Sequence, residues 1–133
     1  MKATREQTEK RGGFTLVEVL LVVAILGVLA AVIVPNLAGK QEKAMKKAAR
    51  ASIAGLSSAI DLYEVDTGRY PPSLNSLIQN DGAPNWSGPY IKGGLPLDPW
   101  GTQFAYTQAD GGYKVISAGP DLAQGTADDI TSW

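Results

Sequence analysis

The chain has 133 residues, a net charge of −1, and neither cysteine nor histidine. Those two absences exclude disulfides, thiolate metal sites, cysteine nucleophiles and any Ser-His-Asp site, and they remove the commonest zinc ligand and general base. With a membrane segment set aside, the remainder suffices for one small domain.

The chain opens with a polar leader in which Lys2, Arg5, Lys10 and Arg11 stand against Glu6 and Glu9, and which ends in Gly12-Gly13. An apolar run of 24 residues follows, Phe14 to Leu37, containing one acid, Glu18. As a helix at about 1.5 Å per residue it covers about 36 Å, more than the roughly 30 Å hydrocarbon core of a bilayer. Backbone polar groups in lipid must be satisfied internally, so the run predicts a transmembrane helix. The basic residues ahead of it predict a cytoplasmic N-terminus and a translocated remainder. A secretory signal peptide has a shorter apolar region, about 7–15 residues. Here the run continues past the small pair Ala30-Ala31 that would imitate a cleavage site. A plain signal anchor fits the hydropathy but leaves Glu18 unexplained. A carboxylate in a spanning helix costs on the order of 3 kcal/mol at the centre and less near the interface, so such a residue usually has a partner. The nearest conceivable partner is a new α-amino group at Phe14, created by cleavage after Gly13, on the same chain or a neighbour.

Gly13-Phe14-Thr15-Leu16-Val17-Glu18 resembles the prepilin cleavage motif of type IV pilins and type II secretion pseudopilins. The resemblance implies that a membrane peptidase cuts after Gly13 and methylates the new N-terminal Phe14. Glu18 falls on the position where the family places its acid, and Pro35 on the position where family helices bend. It divides the chain into a leader, 1–13, a membrane and filament-core helix, 14–37, and a periplasmic head, 38–133.

Beyond the anchor, charge is unevenly placed. Lys40, Lys43, Lys46, Lys47 and Arg50 against Glu42 make a collar of net +4, whereas the chain from Asp61 onward carries net −6. The collar suits anionic lipid headgroups, and the two charge blocks suit each other across subunits, where they would set register and assembly rate more than affinity. Two solvated faces are the plain alternative. Nucleic acid is not an expected partner, because the head is acidic and the basic segment has no interleaved aromatics.

From Lys40 to Val65 there is no proline and one glycine, Gly55. Ala49, Ile53, Leu56, Ile60 and Tyr63 recur at spacings of four and three, one apolar helical face that should pack on the rest of the head. The pattern predicts a helix from Phe14 to Thr67, bent or locally unwound at Pro35 and ended by Gly68 in a left-handed conformation. Ser73 to Ile78 reads as a short helix capped by Ser73. Residues 81–94 read as a surface loop. Phe104 to Thr107 and Tyr113 to Ser117 read as strands of a hairpin turning at Ala109 to Gly112. Trp86, Tyr90 and Trp100 are expected to be packing residues. The fold class is α+β, a long helix whose second half lies on a small antiparallel sheet.

The head resembles the major pseudopilins within the same family. The ordered set Gly68-Arg69-Tyr70-Pro71, Tyr90-Ile91-Lys92, Leu95 to Gly101, Ser117 to Asp121 and Gly125 to Ile130 carries that resemblance. It implies a pilin-like fold in a homo-oligomeric periplasmic filament that helps export folded proteins across the outer membrane. The implied partners are a prepilin peptidase, minor pseudopilins, the inner-membrane secretion components and, before assembly, membrane lipid. By spacing alone, Asp121 and the pair Asp128-Asp129 are an acidic turn, and an EF-hand is excluded by the absence of its opening and closing acids. The resemblance implies a calcium ion held by Asp121, Asp128 and Asp129 with backbone carbonyls, one of them at Ala118. Two alternatives stay open: a type IV pilin of a surface fibre, against which the missing cysteines and the acidic loop count, and a membrane-tethered binding module. No pair of acids is placed across a cleft by the sequence, so no enzyme is expected.

Overall fold

The computed structural model describes residues 12–109 and 111–133. Most of the leader therefore lies outside the described residues, as does Asp110 of the hairpin turn. The described chain forms two compact units, one ending at Ala38 and the other Gly39–Trp133.

Helix α1 spans Leu16–Thr67. Residues 12–15 precede it without regular structure. Thr15 starts the helix by accepting a hydrogen bond on its hydroxyl from the Glu18 amide, at 3.2 Å. That satisfies one of the orphan donors every helix start carries. At Pro35 the expected local unwinding is absent, and α1 continues through the proline. Losing one amide donor at Pro35 removes one bond of a long ladder, which the neighbouring turns maintain. The other end follows the prediction: Gly68 has φ +76°, and its amide donates to the Glu64 carbonyl at 2.7 Å.

In the second unit, Ala49, Ile53, Leu56, Ile60 and Tyr63 are all buried, with Ala59 beside them. The face that periodicity marked is the floor of the head's core. Leu74, Leu77, Ala83, Phe104, Val115 and Ile130 close over it. Trp86, Tyr90 and Trp100 pack at the rim of this cluster, in the structural role expected of them.

The segment after Gly68 crosses the core as a short 3-10 helix, Leu74–Leu77. Ser73 precedes it in an extended conformation, but its side chain makes no capping hydrogen bond; the Ser73 carbonyl accepts from the Ser76 amide instead. The tighter 3-10 winding lets the main chain close the turn without a side-chain cap. The loop that follows is pinned from several sides. Trp86 donates its indole N–H to the Ser76 carbonyl at 2.9 Å, and the Tyr90 amide donates to the Leu77 carbonyl at 2.7 Å. Ser87 and Tyr90 donate their hydroxyls to Asp66 at the end of α1.

The sheet has three antiparallel strands, β1 (Ala105–Ala109), β2 (Gly112–Ser117) and β3 (Ile130–Thr131), in that spatial order. The first two form the expected hairpin, with Tyr106 opposite Val115 and Ala109 opposite Gly112. β3 was not expected: two residues are too few to show alternation, and only pairing with Ile116 and Ser117 defines it. Tyr113 ties the sheet to α1 by donating its hydroxyl to Asp61 at 2.8 Å and to the Ser57 carbonyl at 3.2 Å. Burial, the larger influence, and then Asp61 push its ionisation up to about 12, so the phenol stays a donor throughout the physiological range.

Candidate functional site

Two regions hold the residues singled out by sequence. At the N-terminal junction, Gly13 and Phe14 lie in the irregular segment ahead of α1, and Phe14 is 84% exposed. Glu18 sits in the first turn of α1 and Pro35 within it, both exposed. Every large apolar side chain from Phe14 to Leu37 is at least half exposed, from 50% at Val19 upward. The helix is long and apolar enough to cross a membrane. Thr15 joins these residues through local helix chemistry. Thr15-Leu16-Val17-Glu18 has the spacing of a capping box, and the Thr15 half of that box is formed.

The second region is the loop between β2 and β3. Ala118 is buried, and Gly119–Asp121 forms a short 3-10 turn. Gly119 has φ +72°, and a Cβ there would lie 2.4 Å from the Asp128 carbonyl oxygen. Only glycine permits this approach, which brings the two ends of the loop together. Asp121 accepts from the Ala123 amide at 3.1 Å; that bond first, and then the Thr126 hydroxyl, hold its carboxyl below the usual range. Asp129 accepts from the Gly125 amide on Oδ2 at 2.7 Å. Its other oxygen, Oδ1, is buried and has no hydrogen-bond partner.

A buried carboxylate oxygen without a donor is costly, and a cation is one group that would complete it. The loop's chemistry therefore fits calcium at Asp129. It does not gather the full set, however: among the described residues no three acidic side chains come together as a ligand group. Asp121 and Asp128 are exposed while Asp129 is half-buried.

The loop is braced by Asp98, whose role no local sequence signal marks. Asp98 is 4% exposed. It accepts from the Trp100 and Thr102 amides, the Thr102 hydroxyl and the Ser117 hydroxyl, at 3.1, 2.8, 2.5 and 2.7 Å. The Ser117 hydroxyl in turn accepts from the Gly119 amide at 3.3 Å. The start of the acidic loop is thus braced on a buried carboxylate.

An exposed apolar helix joined to a small α+β head defines a class: pilin-like, membrane-anchored subunits. A family model for the prokaryotic N-terminal methylation motif matches residues 9–34, and one for protein G of the type II secretion system matches residues 36–133. The chain belongs to the type II secretion system protein G family. It is 43% identical to the type II secretion system core protein G of Escherichia coli (strain K12), over 95% of this chain and 93% of that one. It is 40% identical to that of Vibrio cholerae serotype O1, over 100% and 96% respectively. The crystal structure of the major pseudopilin from enterohaemorrhagic Escherichia coli superposes with a TM-score of 0.64 at 32% identity, covering 76% of this chain and 96% of that one. The protein is a structural pseudopilin subunit of a type II secretion system, anchored through its apolar helix, and not an enzyme.

Proposed function

We propose that the precursor inserts with its leader in the cytoplasm and its head in the periplasm. A prepilin peptidase then cuts after Gly13, and the subunits polymerise into a periplasmic filament that pushes folded proteins toward an outer-membrane channel. The observation that carries this reading is the exposed apolar surface from Phe14 to Leu37. Lipid covers it first, and the helices of neighbouring subunits replace lipid in the filament. Glu18 aligns an incoming subunit by pairing with the α-amino group of a neighbour's Phe14. Minor pseudopilins and the inner-membrane secretion components are the remaining partners.

Calcium belongs to the same proposal. Asp121, Asp128 and Asp129, with a carbonyl such as that of Ala118, would hold it, and the ion would supply the positive charge that draws the three acids of this loop together. Support comes from the unpartnered Oδ1 of Asp129 and from the close approach of Gly119 to Asp128. The test is a thermal melt of the Gly39–Trp133 unit, which contains every residue of the buried core. At calcium a hundredfold above its dissociation constant, about 2.7 kcal/mol of stabilisation is expected. Chelator should abolish it, and so should Asp129→Ala. An unchanged melting temperature would return the loop to an acidic turn and leave the filament reading standing.

A further inference from the structure

Lys40, Lys43, Lys47 and Arg50 stand three, four and three residues apart, which places them on one side of α1. All four are exposed, whereas Ala49, between the last two, is fully buried, so the stripe faces away from the core. Glu42, the only acid within the segment, is taken up by Lys46 in an ion pair of 2.6 Å, and Lys46 lies off the stripe. Among the described residues no hydrogen bond or ion pair engages the four stripe side chains. Four like charges thus line about 15 Å of helix with no counter-charge in contact.

The chain itself fixes what lies beside them. Lys40 is three residues past Leu37, the end of the apolar run, and three residues span at most about 11 Å in any conformation. The headgroup layer outside the hydrocarbon core is about 5–8 Å deep, and the lysine stem adds its own reach. Lys40 therefore meets headgroups in every inserted subunit, and the other three follow on the same side of the helix. An anionic surface attracts this stripe and repels the chain from Asp61 onward, which carries net −6. The same field pulls one part of the head down and pushes the other away, which gives the attraction a direction.

We propose that the stripe Lys40, Lys43, Lys47 and Arg50 docks on anionic phospholipid headgroups of the bilayer that holds the anchor, turning that side of α1 to the membrane surface before the subunit joins a filament. Docking presupposes that Phe14 to Leu37 is inserted, as proposed above. A second copy is the competing occupant and a weaker one. Its Asp61, Asp66, Asp81, Asp98, Asp121 and Asp129 each accept a hydrogen bond within their own head. It must also arrive by diffusion, whereas an anchored stripe meets the surface as an intramolecular event at high effective concentration.

The chain has no cysteine, so Ala54→Cys, exposed and one step further along the stripe, takes a single fluorophore. The full chain is placed, one per disc, in lipid nanodiscs of phosphatidylcholine alone or mixed equally with phosphatidylglycerol. Both carry a lipid with a nitroxide on its headgroup, which quenches only over short range. At about 0.1 M salt, phosphatidylglycerol should raise quenching at least about threefold, and about 1 M salt should remove the gain by screening. Replacing all four stripe residues by glutamine should remove it too, and because the four are exposed and unpaired the fold is kept. Lys92→Gln combined with Lys114→Gln, which removes basic charge elsewhere on the head, should leave the gain intact. Equal quenching in the two discs, a gain that survives high salt or the glutamine variant, or one lost equally in the Lys92 and Lys114 variant would each overturn the proposal. So would a gain that vanishes in discs holding two chains, because the acidic head of a second subunit would then be the preferred occupant. A chain absent from both disc fractions would overturn the insertion itself, a failure distinct from insertion without docking.

Discussion

Asp98 is a buried carboxylate that needs no metal and no counter-charge, because four donors from Trp100, Thr102 and Ser117 surround it. Burial, the largest influence, acts to raise its pKa; the hydrogen bonds from Thr102 and Ser117 and the two amides outweigh it and hold the group below the usual carboxylate range. A lowered folded pKa means that the charged form stabilises the fold above the unfolded pKa of about 3.9, and that this contribution disappears as pH falls through the folded value. Asp98→Asn keeps the size but turns an amide N–H₂ toward some of these donors. It should cost about 1.5–3 kcal/mol in chemical denaturation at pH 7, the range for hydrogen bonds to a charged group. The gap between wild type and variant should narrow as pH is lowered from 5 toward 2. A gap that stayed constant with pH would mean that Asp98 acts through shape and not charge. Asp129 is the contrasting case. Its Oδ2 has the Gly125 amide and its buried Oδ1 has no hydrogen-bond partner, so this carboxylate, unlike Asp98, is only half satisfied.

Within α1, one helix serves two environments, and the substitution of a single side chain separates them. Ile60 is fully buried, while Leu62, two residues on, is 56% exposed. Ile60→Ala should cost about 3 kcal/mol, because truncation inside a packed core removes transfer energy and leaves a cavity. Leu62→Ala should stay within about 0.5 kcal/mol, as surface changes do. Equal losses in urea denaturation of the head would contradict the burial pattern. This stripe was legible in the sequence because helical periodicity repeats over many residues, and Gly68 because a left-handed terminus needs glycine. The hairpin was legible for a similar reason: two apolar runs flank turn residues. What escaped depends on contacts distant in sequence. β3 exists only through Ile116 and Ser117, and the brace at Asp98 requires Ser117, which lies 19 positions away. The Ser73 side-chain cap did not form because the segment winds as a 3-10 helix, in which the Ser73 carbonyl takes the Ser76 amide. At the candidate site, Asp121, Asp128 and Asp129 were visible as a cluster, but the role of Gly119 was not. Its need for glycine comes from the Asp128 carbonyl, which folding brings against it.

For the whole molecule, the exposed anchor poses a question of driving force. Lipid tails are about as apolar as leucine, so burying Phe14 to Leu37 against neighbouring helices instead of lipid gains little hydrophobic energy. Assembly must draw on close packing and on polar pairing, and Glu18 is the only charged side chain in that stretch. Two roles compete for it. In one, Glu18 completes the capping box begun by Thr15, a local matter of helix initiation. In the other, its negative charge pairs with a neighbour's α-amino group during assembly. Glutamine separates them, because it serves at that position of a capping box as glutamate does but carries no charge. Glu18→Gln and Glu18→Leu should both insert and both be cleaved after Gly13, as read by N-terminal sequencing of the membrane-bound subunit. If charge pairing is the function, both variants should lose filaments to a similar extent when these are counted by electron microscopy and by subunit cross-linking. If Glu18→Gln assembles normally and only Glu18→Leu fails, the carboxylate is a cap, and the polar term that selects neighbouring subunits must come from outside the membrane, where the basic collar Lys40 to Arg50 and the acidic head are the available opposite charges.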